Sequence, residues 1–239
     1  MREAVTTSER SVGDTVRVGV AIPAAGSGVR MGGVRKALLE LAGEPVLLHA
    51  MRPFLADTRV VALCVALPPD DAEAPPRWLL ECDPRVTVVA GGATRSESVG
   101  RAIQALPDDV TVIAVHDAAR PLVTAQVVRT CIDIAATGVG AVSGCPAVDT
   151  MKTVGPDGSI LSTPERSSIW HAHTPQVFPA RALRRAYANG GGDATDDAEL
   201  VERAGMRVVM VDGGAANIKV TRTEDLVVAE ALLRARESL

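Results

Sequence analysis

The fold is decided by one stretch near the start of the chain, VGVAIPAAGSGVRMGGVRKAL (residues 18–38). It opens with a run of small and branched apolar residues, which predicts a strand that is buried on both faces. The run leads directly into a loop that contains Gly26, Gly28, Gly32 and Gly33. Glycines allow backbone N–H groups to approach phosphate oxygens closely. A buried strand followed by such a loop therefore favours an α/β protein with a phosphate-binding turn.

Five further apolar runs predict strands, and amphipathic segments between them predict helices. The runs are VALCVAL (61–67), VTVVA (86–90), VTVIAVH (110–116), GAVSGC (140–145) and RVVMV (207–211). Alternating strands and helices predict one α/β domain, Rossmann-like, with a mostly parallel twisted sheet and helices on both faces.

Capping residues and glycines indicate where the helices begin and end. Capping boxes and Ser/Thr N-caps mark helix starts, and glycine marks the residue after a helix. The predicted starts are Thr94 with Glu97, Thr195, and Thr221 with Glu224, and the predicted ends are Gly138 and Gly205.

The α/β domain is predicted to span residues 16–239, after a polar, disordered tail at residues 1–15. Within it, residues 146–168 contain short alternating pieces around a Pro-Asp-Gly turn and predict a β-hairpin arm. A lone two-stranded hairpin is marginal in water. We therefore expect the arm to pack on a second subunit, which makes the protein a homodimer.

Composition excludes several classes of partner. The net charge is −4, so no global positive field attracts nucleic acid or an anionic membrane. No apolar run has the length of a membrane span, and the polar start is unlike a secretory signal. The four cysteines are widely spaced, which is typical of reduced thiols in a cytoplasmic protein.

Two cations, Arg30 and Lys36, accompany the first glycine loop. They suit a nucleoside triphosphate, because charge grows on the leaving pyrophosphate during nucleotidyl transfer. A plain tight turn is the simplest alternative. A dinucleotide site is another, although the glycine spacing misses G-x-G-x-x-G by one residue and no acid follows at the expected distance. No G-K-[ST] follows either, which argues against a P-loop.

Polar groups also follow other strands, at the edge of an open sheet where ligands bind. They occur in GGATRSES (91–98), HDAARP (116–121) and NIKVTRTED (217–225). Asp117 comes directly after a strand and is a candidate Mg²⁺ ligand, since Mg²⁺ binds through one or two carboxylates plus phosphates. An Asp that only caps the next turn is the alternative. Arg120 is placed to pair with Asp117 or to meet a phosphate.

His171 and His173 alternate along one predicted strand face. A catalytic zinc site usually has three protein ligands, and no third ligand is evident. We therefore interpret these histidines as packing residues.

The motifs taken together resemble the IspD family, the 2-C-methyl-D-erythritol 4-phosphate cytidylyltransferases, which have a glycosyltransferase-A-like nucleotidyltransferase fold. The resemblance covers residues 17–235 and is carried, in order, by PAAGSGVRM, GGATRSESV, VHDAARPLV, DTMK, WHAHTPQVF, TDDAELVERAG and NIKVTRTEDL. It implies a Mg²⁺-dependent reaction of CTP with methylerythritol phosphate, in non-mevalonate isoprenoid biosynthesis.

The resemblance also implies roles for particular residues. The implied catalytic residues are Arg30, Lys36, Arg166 and Lys219. The implied nucleotide-binding residues are Ala24, Ala25, Gly26, Gly28, Gly92, Arg95, Ser98, Asp117 and Ala118. The implied substrate-binding residues are Asp117, Arg120, Thr150, Arg166, Thr195 and Lys219, with Asp117 also at the metal. Thr150 and Arg166 lie on the arm and would complete the neighbouring subunit's site.

Three rival functions remain open on the sequence alone. The same chemistry on another polyol phosphate, such as ribitol 5-phosphate, is the nearest. A non-catalytic nucleotide-binding regulator is a second, and it would be expected to lack the cations and Asp117 that this chain has. A dinucleotide oxidoreductase is the third.

Overall fold

The structure, a computed structural model, describes residues 15–26, 36–190 and 194–237, and the side chains of Lys36 and Glu237 fall outside that description. Residues 1–14 of the predicted tail are not among the described residues. The predicted site residues Gly28 and Arg30 also lie outside the described residues.

Seven strands form one central sheet. They are β1 (Val18–Pro23), β4 (Val60–Leu67), β5 (Val86–Ala90), β6 (Val112–Val115), β7 (Gly140–Pro146), β10 (Trp170–Pro179) and β11 (Val208–Asp212). The spatial order is β11-β7-β10-β6-β1-β4-β5. Neighbouring strands are parallel, except that β10 is antiparallel to both β6 and β7. The predicted α/β class with a mostly parallel sheet is confirmed.

Eight α-helices connect or cover the strands in the described residues. They are α1 (Val46–Leu55), α2 (Pro69–Glu73), α3 (Arg77–Glu81), α4 (Arg95–Ala105), α5 (Ala125–Ala136), α6 (Ala180–Ala188), α7 (Asp197–Arg203) and α8 (Thr223–Glu237). None of the described helices is long and apolar enough to cross a membrane.

The sheet is covered on both faces because its strands alternate between two apolar clusters. Along β1, Val18, Val20 and Ile22 join the cluster that contains residues of α1 and α5. Ala21 joins the opposite cluster, which contains residues of α4, α6 and α7. This is the period-two alternation of a strand. Burying each large aliphatic side chain contributes about 1.5–3 kcal/mol, so these two layers provide most of the driving force for folding.

The central position of β10 was not predicted from the sequence. Its first four residues include two histidines, and Pro175 lies near its middle, where proline within a run usually indicates an edge strand. In the structure β10 nevertheless lies between β6 and β7, and its second half, from Thr174 to Phe178, is buried. Val177 belongs to one of the two apolar clusters and Phe178 to the other, which explains why this half is held inside the sheet.

The helix starts are partly as predicted. Thr94 accepts a hydrogen bond from the Glu97 N–H, as expected. The N-cap of α7 is Asp196, and the prediction of Thr195 was wrong, because the Asp196 carboxylate accepts from the Glu199 N–H at 3.0 Å. Thr195 instead donates its hydroxyl to the Glu199 carboxylate.

The start of α8 also differs from the prediction. Asp225, not Glu224, supplies the carboxylate, which accepts from the Thr221 N–H at 2.7 Å. The helix ends at Gly138 and Gly205 are confirmed, since both glycines have a positive φ, of 97° and 82°.

Two short antiparallel pairs stand apart from the main sheet. β2 (Glu40–Leu41) pairs with β3 (Glu44–Pro45), and β8 (Thr153–Val154) pairs with β9 (Ile160–Ser162). The second pair is the tip of the predicted arm, and all of its residues are exposed.

Candidate active site

A cavity of about 590 Å³ opens where β1, β5 and β6 end. These strands are parallel, so their carboxyl ends meet at one edge of the sheet, which is where ligands bind in open α/β folds. Among the described residues, the predicted nucleotide-binding residues all line this cavity. They are Ala24, Ala25, Gly26, Gly92, Arg95, Ser98, Asp117 and Ala118.

A second cavity of about 160 Å³ adjoins the first. Both cavities are lined by Arg95, Asp117 and Lys219, so these three side chains stand at the junction. The smaller cavity is also lined by Arg120 and Thr195, which were predicted to bind substrate. Two adjoining cavities that share charged residues can hold two reactants side by side.

Asp117 is the centre of the charged cluster at this junction. Its carboxylate accepts from Lys219 Nζ at 2.8 Å and from Arg95 Nε at 3.1 Å. Arg120 Nε lies 3.7 Å from the same carboxylate. Asp117 therefore faces three cations, and its carboxylate binds charged side chains rather than serving only as a turn cap.

The cluster keeps Asp117 ionised. Burial alone would raise the pKa of this carboxyl, but the positive charges of Arg95, Lys219 and Arg120 outweigh it and hold the pKa well below its usual range. Burial likewise opposes the charge on Arg95, whereas the carboxylates of Asp197 and Asp117 raise its pKa. Asp117 and Arg95 are thus charged at neutral pH, and the three cations around Asp117 suit an anionic ligand.

A buried hydrogen-bond network holds the cluster in place. Arg120 Nη1 donates to the Asn217 carbonyl at 2.7 Å, and Asn217 Nδ2 donates to the Thr174 carbonyl at 2.9 Å. The Thr174 hydroxyl accepts from the Asp117 N–H at 2.9 Å. Three chain segments that are distant in sequence are thereby joined under the cavity.

His116 completes this network as a neutral imidazole. Its Nε2 lies 3.1 Å from the Arg120 carbonyl, which can only accept, so Nε2 carries the proton. Its Nδ1 then accepts from the Thr174 hydroxyl at 3.1 Å. Complete burial lowers the pKa of His116 to about 4, which agrees with a neutral ring.

Ser98 shapes the second glycine turn from below. Its hydroxyl accepts from the Gly92 N–H at 3.1 Å and donates to the Thr94 carbonyl at 2.9 Å. A Cβ at Gly91 or Gly92 would lie 2.3 Å from a neighbouring side-chain atom, so glycine is required at both positions. Only backbone can approach a ligand closely at this turn.

The two predicted site residues on the arm lie elsewhere. Thr150 and Arg166 are exposed, and neither is among the described residues that line the two cavities. Arg166 Nη1 donates to the Val148 carbonyl at 2.6 Å, which holds the base of the arm. The arrangement does not bring these residues to their own chain's cluster.

Several residues of the site were not singled out from the sequence. His116, Thr174, Gln176, Asp197 and Asn217 are all buried and polar. Each belongs to a motif quoted above, and Thr174 and Gln176 lie on β10, between β6 and β7. For these two, the available signal is polar residues directly before the apolar pair Val177 and Phe178.

Within the described residues, no group of three or more His, Cys, Asp or Glu side chains is placed to hold a metal ion. His173 Nε2 lies 4.0 Å from Cys145 Sγ, while His171 is exposed. Asp117 is the carboxylate at the cavity junction, and Mg²⁺ is commonly held by one or two carboxylates with waters and substrate phosphates. The residues therefore fit a magnesium ion that a triphosphate brings with it.

The doubly covered parallel sheet, the glycine-bounded cavity and the cationic junction are typical of an α/β enzyme that binds a nucleotide. The model of the family described as IspD, 2-C-methyl-D-erythritol 4-phosphate cytidylyltransferase, matches residues 18–235. A protein of that name from Symbiobacterium thermophilum is 46% identical over 223 residues, covering 91% of this chain and 93% of the relative. Another from Streptomyces coelicolor is 43% identical and covers 92% of this chain and 86% of the relative.

Solved structures of proteins with the same or a synonymous name are also similar to this chain. The crystal structure of 2-C-methyl-D-erythritol 4-phosphate cytidylyltransferase from Thermus thermophilus superposes with a TM-score of 0.76 at 34% identity, covering 92% of this chain and 100% of that one. A synthase structure from Anaerococcus prevotii gives 0.82 at 25% identity, covering 92% and 97%. The chain belongs to the 2-C-methyl-D-erythritol 4-phosphate cytidylyltransferase family.

Proposed function

We propose that the protein transfers the cytidylyl group of CTP to 2-C-methyl-D-erythritol 4-phosphate, releasing pyrophosphate, in the non-mevalonate synthesis of isoprenoid precursors. The observation that carries this proposal is the cationic junction around Asp117, at which the two cavities meet. Membership of the family over nearly the whole described chain supports the choice of substrates.

The larger cavity takes the nucleotide and the smaller one takes the acceptor. A phosphate oxygen of the acceptor attacks the α-phosphorus of CTP, a new P–O bond forms, and the bond to the β-phosphate breaks to release pyrophosphate. The attacking group is already an anion, so no strong general base is needed. The protein contributes positioning and charge neutralisation.

Cations placed around the reacting phosphates have this task. Lys219 and Arg120 face the acceptor phosphate from the junction, and Arg95 faces the nucleotide side. Arg30 and Lys36, from the first loop, neutralise the triphosphate and the charge that develops on pyrophosphate. Gly28 and the neighbouring backbone of that loop bind the nucleotide.

Magnesium is the proposed cofactor, with Asp117 as its protein ligand. When bound, it supplies positive charge beside the phosphates. Lys219 and Arg95 hold the Asp117 carboxylate in position for this role.

We also propose that the working form is a homodimer. The arm exposes large apolar side chains: Val148 is 75% exposed, Leu161 66% and Ile160 62%. Exposed apolar residues clustered on a projecting element are typical of a protein interface. Contact with a second copy would cover them and bring Thr150 and Arg166 to the partner's acceptor cavity.

The proposed location is the cytoplasm, because its reducing conditions suit the four free cysteines.

A pyrophosphate-release assay tests the proposed reaction. CTP, UTP and ATP are each combined with methylerythritol phosphate and with ribitol 5-phosphate, with Mg²⁺ and with EDTA. We expect release only with Mg²⁺, fastest for CTP with methylerythritol phosphate. Faster release with ribitol 5-phosphate would assign a different acceptor, and no release with any pair would refute the proposal.

A further inference from the structure

Arg95 is held by two buried carboxylates, those of Asp117 and Asp197. Its Nε donates to Asp117 Oδ1 at 3.1 Å, and its Nη2 donates to Asp197 Oδ2 at 2.9 Å. Asp197 has no exposed surface, and it lines neither cavity. Its charge is therefore not directed at a ligand, although it lies one residue away from the wall of the acceptor cavity.

The remaining oxygen of Asp197 binds Tyr187. The phenol of Tyr187 donates to Asp197 Oδ1, and Ser96, next to Arg95, also hydrogen-bonds the phenol. Burial raises the pKa of Tyr187, and the charge of Asp197 raises it further, so the phenol stays protonated and remains a donor. The ring lies against Gly100 of α4, where an added Cβ would be 3.4 Å from it.

The contacts from Tyr187 to Asp197 and from Asp197 to Arg95 join three different helices. Tyr187 is in α6, Asp197 begins α7, and Arg95 begins α4. A buried carboxylate that loses a partner is strongly unfavourable, so each contact restrains the next. Without Asp197, the ion-pair partner left to the guanidinium among the described residues would be Asp117, which Lys219 also binds.

We propose that Tyr187 and Asp197 are positioning residues that fix the guanidinium of Arg95 at the junction of the two cavities. This inference rests on the proposed function of Arg95 in binding the nucleotide. Asp197 binds Nη2 and Asp117 binds Nε, so both contacts hold the guanidinium in the wall that the two cavities share. Tyr187 fixes the orientation of Asp197 and thereby acts on Arg95 from outside the site.

The first test is the Tyr187→Phe variant, which keeps the ring and removes only the hydroxyl. We expect KM for CTP to rise about fivefold to tenfold, the scale of one ordinary hydrogen bond, because Tyr187 acts on the nucleotide only through Arg95, with kcat changed less than KM. Asp197→Asn should raise KM further, and Asp197→Glu should recover part of the loss. Equal KM values in Tyr187→Phe and the unaltered protein would overturn the proposal.

A matched control separates positioning from general loosening of the α4–α6 contact. Arg184, also in α6, donates to the carbonyls of Ile103 and Leu106 at the far end of α4, at 3.0 Å each. Arg184→Met should lower the melting temperature at least as much as Tyr187→Phe but leave KM unchanged. An equal rise of KM in both variants would show that the effect is structural and refute positioning.

A third measurement does not depend on turnover. Tyr187 is the only tyrosine in the chain, so tyrosine labelled with ¹³C at Cζ gives a single NMR signal from the full-length protein. Arg95→Lys and Asp197→Asn should each shift this signal, and so should CTP with Mg²⁺. If the unaltered protein shows no cytidylyl transfer, the proposed function fails, while a signal that responds to Arg95→Lys still supports the contact chain. A signal unaffected by either variant would overturn the contact chain itself.

Discussion

Each charged side chain at the cavity junction is restrained by at least one other. Lys219 and Arg95 bind opposite oxygens of Asp117, and Arg120 is tied to the Asn217 carbonyl. Restrained charges lose little freedom when a ligand binds, and they need not reorganise as charge develops during reaction. The cations of the first loop are expected to act on the same phosphates.

Replacing Lys36 with alanine tests that expectation. Loss of one preorganised charge should lower kcat by roughly 10²–10³ while the protein stays folded, and Arg30→Ala should act similarly. Steady-state kinetics of pyrophosphate release give kcat, and circular dichroism gives the fold. Arg77→Ala removes a cation that pairs with Glu81 on the remote helix α3 and should leave kcat unchanged. Normal turnover in both loop variants would show that these loop cations take no part in the reaction.

His116 makes the stability depend on pH. Its pKa is about 4 in the folded protein, because burial disfavours the charged ring, against about 6.5 when unfolded. The unfolded chain therefore binds a proton at higher pH, so the stabilisation is complete above pH ~6.5 and is lost as pH falls towards 4. The loss attributable to His116 is at most about 3 kcal/mol.

Urea unfolding at pH 5 and pH 7 measures this effect. The unaltered protein should lose more stability between these values than His116→Gln does. Burial also lowers the pKa of His173 to about 4. The same two measurements on His173→Gln therefore show how much of the pH dependence comes from this second histidine. The same pH dependence in His116→Gln as in the unaltered protein would contradict the assignment.

At the scale of elements, the sequence predicted the parallel strands well and the antiparallel one poorly. The runs 61–67, 86–90 and 140–145 are mostly apolar, and the strands found at these places differ by at most one residue at either end. β10 contains the buried polar residues Thr174 and Gln176, which hydrogen-bond to residues at and beside the site. Apolar patterning therefore could not place this strand in the sheet. The fold was thus predictable from its core, whereas the network under the cavity depends on contacts between distant segments.

The close contact between β7 and β10 gives a prediction about stability. A Cβ at Gly144 would lie 2.4 Å from the His171 carbonyl oxygen, which is backbone and cannot rotate away. Gly144→Ala should therefore destabilise the protein by about 2 kcal/mol or more, by forcing the strands apart.

Gly100→Ala is the matched control. Gly100 lies inside α4, and an added Cβ would make only an ordinary contact with Tyr187 at 3.4 Å. Alanine in a helix interior is favoured over glycine by about 1 kcal/mol, so this variant should unfold at a higher denaturant concentration. Both midpoints come from guanidinium unfolding. A Gly144→Ala variant as stable as the unaltered protein would show that the strand contact is looser than described.

For the whole molecule, the arm predicts shared active sites. If it crosses to a second subunit, Arg166 of one chain serves the site to which the other chain contributes Lys36. Arg166→Ala and Lys36→Ala should each be nearly inactive alone. After mixing and subunit exchange, about half the dimers are mixed, each with one intact site, so activity should recover to about a quarter of the unaltered value.

The control for this experiment is exchange itself. Two differently tagged chains, co-purified after mixing, show that mixed dimers have formed. If mixed dimers are present and activity does not return, Arg166 serves its own chain's site and the shared-site proposal is wrong.

The distances along the chain between contacting site residues have a consequence for biosynthesis. Asp117 meets Lys219 across 102 positions, and Arg95 meets Asp197 across the same number. During synthesis from the N-terminus, the strands β1, β4, β5 and β6 emerge before either partner exists. The nascent protein therefore carries Asp117 without its lysine until residue 219 has left the ribosome. A translation product that stops before that residue would retain much of the sheet but lack a complete junction.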